Sequence, residues 1–417
     1  MNVSKRELVA GAGVCVLAAL VGAGALVDGA DGPLLLGVRT EFLLFALTLL
    51  GVALFHDRTL EAALAGLAAI MALKLLTEPD FEPVHHFAAE APTLINLLGL
   101  LLGFAVLSRH FEESRVPEIL PRYLPDDWKG GFVLLALVFV LSSFLDNIAA
   151  AMIGGTIALH VFRRRLDIGY LAAIVAASNA GGSGSVVGDT TTTMMWIEGI
   201  PAVDVLPAYV AAVPALLIVA LFASVQQQAY QPIQRDEIGR HRVRWLRIAA
   251  VAAILIGAIL ANVLLGFPAA GVWVAILIAA PFMRTDWKVL PAALKGTLFL
   301  LTLVTCASLM PVETLPQASW RTAFGLGFVS AVFDNIPLTK LALEQGGYDW
   351  AVLAFAVGFG GSMIWFGSSA GVALSTMFPE ARYTTRWISR GWFVPVGYAV
   401  GFFALLAIDG WAPSSVR

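Results

Sequence analysis

Two short runs carry side chains able to move a proton or hold a small cation: Ser142-Ser143-Phe144-Leu145-Asp146-Asn147-Ile148 and Ser330-Ala331-Val332-Phe333-Asp334-Asn335-Ile336. Each sets an ionisable Asp beside an Asn in an apolar stretch, where a carboxylate is costly unless polar groups surround it. Downstream of each, a glycine-rich segment interrupts the next apolar run. These are Gly181-Gly182-Ser183-Gly184-Ser185-Val186-Val187-Gly188-Asp189 and Gly360-Gly361-Ser362-Met363-Ile364-Trp365-Phe366-Gly367-Ser368. One motif set is used twice.

At membrane depth every backbone group needs a partner, so a glycine-rich break is tolerated where it lines a cavity or binds something. Freed carbonyls there, with Asn179, Ser183, Ser362 and Ser368 around them, are hard oxygen ligands suited to an alkali cation. Glycine and serine also serve close helix packing; two matched breaks, each following an Asp-Asn pair, favour binding over packing alone. Burial disfavours the charged form of a carboxylate and a neighbouring cation restores it. Asp146, Asp189 and Asp334 are therefore candidates to take up either a proton or Na⁺, with Asn147 and Asn335 supplying further oxygens. The same aspartates also suit the N-caps of half-helices. Thr190 to Thr193 follow Asp189 directly; their hydroxyls either meet a ligand, Thr190 first, or return hydrogen bonds to the helix backbone.

Other polar residues are weaker candidates. Lys340 is placed to neutralise Asp334 or to extend to the outer interface, and Lys295 is similarly ambiguous. His85 and His86 fall in an acidic, solvated loop, while His160 and Glu198 mark span ends.

The elements that hold these residues must lie in a bilayer. The 417-residue chain is 59% hydrophobic and 13% charged, with a mean hydropathy of +0.83, against about 25% charged residues in soluble domains. The net charge of −3 points to no nucleic-acid partner, since the basic residues sit between apolar runs. Cys15 and Cys306 both fall inside apolar segments, so neither a disulfide framework nor a thiol-metal site is expected. The basic start of residues 1–30, with its long apolar run, suits a retained first helix better than a cleaved signal peptide.

Windows of about 20 apolar residues give eleven spans: 8–27, 34–55, 60–77, 92–110, 168–197, 206–227, 246–265, 268–283, 289–310, 349–376 and 389–409. With a cytoplasmic N-terminus most of the 26 basic residues fall inside, as the positive-inside rule requires. That holds only if 131–160 enters and leaves from the cytoplasm and 321–345 from outside. Both are then re-entrant hairpins with Asp-Asn pairs near their tips.

The expected fold is thus an all-α polytopic membrane protein of about eleven transmembrane helices plus two re-entrant hairpins, in two inverted-topology repeats. Residues 31–230 form the first repeat, with hairpin 131–160 and broken helix 168–197. A cytoplasmic linker spans 231–245. Residues 246–417 form the second repeat, with hairpin 321–345 and broken helix 349–376. Such repeats place the substrate site near the midplane, where the halves meet. The chain is expected in the inner (cytoplasmic) membrane, N-terminus inside and C-terminus outside.

The run Gly325 to Ala373, with Asp334-Asn335-Ile336-Pro337-Leu338, Gly360-Gly361-Ser362-Met363 and Gly367-Ser368-Ser369-Ala370-Gly371-Val372-Ala373, resembles the NhaD-type sodium/proton antiporters of the ion transporter superfamily. Asn179-Ala180-Gly181-Gly182 with Gly188-Asp189-Thr190-Thr191-Thr192-Thr193-Met194-Met195-Trp196-Ile197 is similar to that family's first broken helix, and Asp146-Asn147 matches its first hairpin. Where the family has Ala-Trp-Ser-Pro-Ile after the glycine pair, this chain has Ser183-Gly184-Ser185-Val186-Val187.

The resemblance implies an elevator-like movement of a transport domain against a scaffold that pairs into a homodimer, exchanging Na⁺ or Li⁺ for protons without a bound cofactor. Cation-coupled symport of a carboxylate is the alternative within the superfamily. A membrane-embedded enzyme is disfavoured, because no nucleophile-and-base or metal-ligand constellation stands at membrane depth.

Overall fold

Apolar runs punctuated by glycine, proline and Asp-Asn pairs fold into helices that end at both Asp-Asn pairs and at the glycine-rich segments, while Pro92 and Pro214 lie inside theirs. The computed structural model describes residues 34, 35, 38–55, 58–119, 123–233 and 242–414. The helix expected over 1–30 and most of the 231–245 linker lie outside the described residues. The described chain divides into two units, one reaching to Ile95 with Leu294–Leu315, the other Asn96–Ala293 with Pro316–Arg417.

In the first unit a two-residue antiparallel pairing of Leu34–Leu35 with Val38–Arg39 leads into α1 (Thr40–Leu54), which packs on α2 (Thr59–Thr77). Glu41 is fully buried and is held by Arg39 Nη2 at 2.6 Å. The unit also takes the start of α3 (Pro83–Glu113) and the later part of the helix Val289–Ser308. There His86 Nε2 lies 3.1 Å from Ser308 Oγ. Lys295 is exposed, 4.0 Å from Glu61.

The second unit contains α4 (Trp128–Ser142), α5 (Asn147–Val161), α6 (Ile168–Ser183), α7 (Thr190–Ile197), α8 (Ala208–Tyr230), α9 (Trp245–Leu265) and α10 (Pro268–Ala279). After α11 (Val289–Ser308) follow α12 (Trp320–Ser330), α13 (Asn335–Gln345), α14 (Trp350–Gly360), α15 (Ser369–Met377) and α16 (Phe393–Ile408). Both segments carrying Asp-Asn pairs are helix, short break, helix. In the first, α5 turns back on α4, with Gly154 seated against Val138.

Both glycine-rich segments break their helices. α6 stops at Ser183 and α7 starts at Thr190, while α14 stops at Gly360 and α15 starts at Ser369 after a 3₁₀ turn, Gly361–Met363. α6 and α14 are buried along almost their whole length, as helices apolar on all sides must be. α14 is fixed by aromatic packing: Phe355 stacks on Tyr398 of α16 at 5.8 Å and Phe359 at 6.3 Å, and Tyr398 donates its hydroxyl to Phe324 O of α12 at 2.8 Å.

Five described helices are long and apolar enough to cross a membrane, or six if the Thr384–Arg390 and Phe393–Ile408 pair, bent by 58°, counts as one span. Of the eleven expected runs, 168–197 and 349–376 are broken, 34–55 and 268–283 hold shorter helices, and 8–27 lies outside the described residues. α4 and α5, at 15 residues each, reach about 22 Å, short of a hydrocarbon core of about 30 Å.

Candidate functional site

Eight described helix starts in the second unit are capped by side chains that accept a backbone N–H, the interaction that makes Asp and Ser good N-caps, and five of them bear on the site. Asp146 accepts from Ile148 N at 3.2 Å, Asp334 from Ile336 N at 3.1 Å and Asp189 from Thr191 N at 3.2 Å. Ser368 takes Gly371 N at 3.3 Å and Asp167 takes Gly169 N at 2.8 Å. Capping and ion binding had stood as alternative uses of the three aspartates; all three cap. What separates them is what their second oxygens do.

Asp189 is 1% exposed and its two oxygens differ. Oδ1 accepts from Thr191 N, from Asn147 Nδ2 at 3.2 Å and from Asn335 Nδ2 at 3.5 Å. Oδ2 is buried and has no hydrogen-bond partner. The amides of both Asp-Asn pairs thus converge on one oxygen, and the other is bare. Asn147 Nδ2 also donates to Asn179 Oδ1 at 3.1 Å, and Asn179 Nδ2 donates to Ser362 Oγ at 2.9 Å. Asp189, Asn147, Asn335, Asn179 and Ser362 form one buried network drawn from α5, α6, α7, α13 and the turn after α14.

The remaining candidates stand at its edge. Ser183 is fully buried, its hydroxyl given to Ala180 O at 2.8 Å, and Thr190 is buried at the start of α7. Ser368 caps α15 and Ser369 donates to Asp334 Oδ2 at 3.2 Å. Asp146 and Asp334 are near enough to act on Asp189 electrostatically, but among the described residues no three acidic, His or Cys side chains gather into a metal-type cluster. The three carboxylates do not close on a common point, so the donor set around Asp189 is one carboxylate with neutral oxygens.

Of the threonines, Thr192 donates to Ser185 O at 2.6 Å and Thr193 to Val186 O at 2.8 Å. Both satisfy carbonyls freed by the break. Thr191 Oγ1 and Ser142 Oγ are buried without partners; a hydroxyl in a serine- and threonine-rich segment gives no sequence signal that separates it from these backbone-bonding neighbours.

Lys340 reads differently in three dimensions. It is 2% exposed, and its Nζ lies 3.0 Å from Glu198 Oε1 and 2.7 Å from Glu344 Oε1. It does not extend outward, and Glu198, expected only to mark a span end, is one of its partners. The spacing to Glu344 is visible as i, i+4 on one helix, whereas Glu198 is distant in sequence.

The two breaks repeat one set of close approaches. Gly182 meets Gly188 O and Gly361 meets Gly367 O, while Gly181 abuts Phe139 O and Gly360 abuts Gly327 O. At matching offsets from the glycine pairs stand Asn179 and Gly358, then Asp189 and Ser368. The buried carboxylate therefore comes from one half only.

A strongly apolar chain, helical over nearly all its described residues, with a polar knot between broken helices fits a multi-pass membrane carrier. The chain belongs to the citrate transporter family, which it matches over residues 5–360 and which falls within the ion transporter superfamily. It is similar to sodium/proton antiporter 1 of Arabidopsis thaliana, 27% identical over 414 residues covering 86% of this chain and 67% of the relative. The Na(+)/H(+) antiporter NhaD of Alkalimonas amylolytica is 25% identical over 348 residues, 68% of each chain. That of Vibrio cholerae is 23% identical over 402 residues, covering 80% of this chain and 82% of the relative.

Proposed function

We propose that the protein exchanges Na⁺ or Li⁺ for protons, with Asp189 as the group that holds one or the other. The observation that carries this reading is the bare, buried Oδ2 beside an Oδ1 that already has three donors. A buried polar atom without a partner costs about 1–3 kcal/mol, more if charged. A proton on Oδ2 removes the charge; a cation on Oδ2 balances it. The two exclude each other, which is the condition for coupled exchange. Asp146 and Asp334 add negative potential nearby, and Asn147, Asn179, Asn335, Ser183, Ser362, Thr190 and Ser368 are the neutral groups within the ion's path. The names of the antiporter relatives support the same choice of cargo.

In this reading α4–α5 and α12–α13 are re-entrant hairpins of two inverted repeats entering from opposite faces, and alternating access moves them with the broken helices against a scaffold that pairs as a homodimer in the inner membrane. Half-helices about 16–22 Å long support hairpins over full crossings. The test is dequenching of a pH-sensitive dye in everted vesicles. Na⁺ or Li⁺ should collapse an established proton gradient, and its absence at every pH from about 7 to 9 sinks the exchange reading.

The family's description favours one second reading, cation-coupled symport of a carboxylate. The N-terminus of α15 has the uncharged Ser368 as its cap, with Asp334 against Ser369 in its first turn, so an anion there gains the helix end only when Asp334 is neutral. Uptake of labelled citrate driven by Na⁺, without proton countertransport, would replace the first reading by the second.

A further inference from the structure

Glycine is a poor residue inside a helix, costing roughly 0.5–1 kcal/mol relative to alanine, and Gly358 lies inside α14 without a positive φ to explain it. Of the other glycines at the two breaks, a Cβ at Gly181, Gly182, Gly188, Gly360, Gly361 or Gly367 would strike a carbonyl and one at Gly184 the Tyr209 ring. Gly358 meets neither. A Cβ there would stand 2.9 Å from Asp189 Oδ2, with Ser183 Cβ next at 4.0 Å. The missing side chain leaves room beside the one carboxylate oxygen that has no donor.

The matching position of the other half shows what this room excludes. There the residue is Asn179, whose amide donates to Ser362 Oγ at 2.9 Å. A side chain of that size at 358 would occupy the place beside Asp189.

We propose that Gly358 is the specificity-determining residue for ion size at Asp189; this rests on the exchange reading above. A methyl group at 358 takes volume from an ion on Oδ2 and none from a proton. Li⁺, the smaller alkali cation, keeps its place better than Na⁺. In everted vesicles Gly358→Ala should raise the half-saturating Na⁺ concentration about tenfold or more, equivalent to about 1.4 kcal/mol, and the Li⁺ value by less than about threefold. The Li⁺ over Na⁺ preference then grows while the pH profile at saturating Li⁺ is unchanged.

Asp189→Glu shortens the same space from the opposite side without touching α14 and should shift the preference in the same direction, which keeps the test open if the alanine variant does not insert. Gly296→Ala, whose Cβ would enter open space, should leave both half-saturating values at wild-type level. An unchanged Li⁺ to Na⁺ ratio in both site variants, with wild-type exchange intact, overturns the role of Gly358 alone. Absence of cation-driven dequenching in the wild type overturns this proposal and the exchange reading together.

Discussion

At Asp189 the chemistry divides between two atoms of one side chain. Oδ1 holds α7's first turn and the amides of Asn147 and Asn335, so it is already committed to structure. Oδ2 is free to change partner without unmaking those bonds. Asp189→Asn should therefore abolish cation-dependent proton movement, by at least about a hundredfold, an effect of about 3 kcal/mol, while membrane yield and thermal stability stay near wild type, because the amide oxygen can still accept at Oδ1's place. Exchange retained within a few-fold in this variant, measured by dequenching, would remove Asp189 from the mechanism. The sequence pointed to Asp146, Asp189 and Asp334 as acids in an apolar setting and favoured the first and last, because the four threonines after Asp189 suit a structural cap. Which oxygens meet donors from residues far apart in the chain was not legible there. Gly358 was invisible for a related reason: its meaning lies in the carboxylate it faces across two helices.

At the element scale, α7 and α13 start together at the site and are tied again at their other ends. Asn335 Nδ2 reaches Asp189 Oδ1 at one end, and Lys340 Nζ pairs with Glu198 just past α7 at the other. Removing one partner of a buried pair costs about 3–5 kcal/mol; Glu198 and Glu344 are 25% and 35% exposed and can rehydrate, so the lower half of that range or less is expected. Lys340→Met should destabilise the protein by about 1–3 kcal/mol, and Glu198→Gln by less, since Glu344 still pairs with the lysine. Thermal unfolding in detergent gives the order, and equal stability of Lys340→Met and wild type would show that the pair ties nothing.

A second junction gathers α6, α8 and the Thr384–Arg390 helix on Asp167, which accepts from Gly169 N, from Gln226 Nε2 at 2.5 Å and from Arg390 Nε at 3.0 Å. Arg390 is 47% exposed, and an ion pair with so solvated a partner contributes about 0–1 kcal/mol. The cap is buried and the Gln226 bond partly so, and they contribute about 1 kcal/mol each. Asp167→Ala should thus cost about 2–3 kcal/mol and Arg390→Ala under about 1 kcal/mol, again by thermal unfolding. The reverse order would mean that the charge pair, not the cap, holds α6. The breaks after α6 and α14 were legible from glycine density, but these junctions were not, because Asp167, Gln226 and Arg390 have no local pattern in common.

For the whole molecule, charge placement and helix length bear on one question: which side of the membrane each connection faces. The lengths of α4, α5, α12 and α13 give about 16–22 Å each, and α5 packs back on α4, so in the proposed reading a chain that enters by α4 returns by α5 to the same face. In the proposed reading the basic residues on both flanks of the first hairpin, Lys129 before it and Arg163 to Arg165 after it, put that pair of ends on the cytoplasmic side. The acidic flanks of the second, Glu313 and Glu344, put its ends outside in the same reading. Single cysteines at Lys129 and Arg164, in a chain with Cys15 and Cys306 replaced, should react with an impermeant maleimide from the cytoplasmic face, and cysteines at Gln317 and Gln345 from the opposite face. Labelling of Lys129 and Arg164 positions from different faces would mean that α4 and α5 together cross the bilayer, and the count of spans, the inversion of the halves and the approach to Asp189 from two sides would all fall with it.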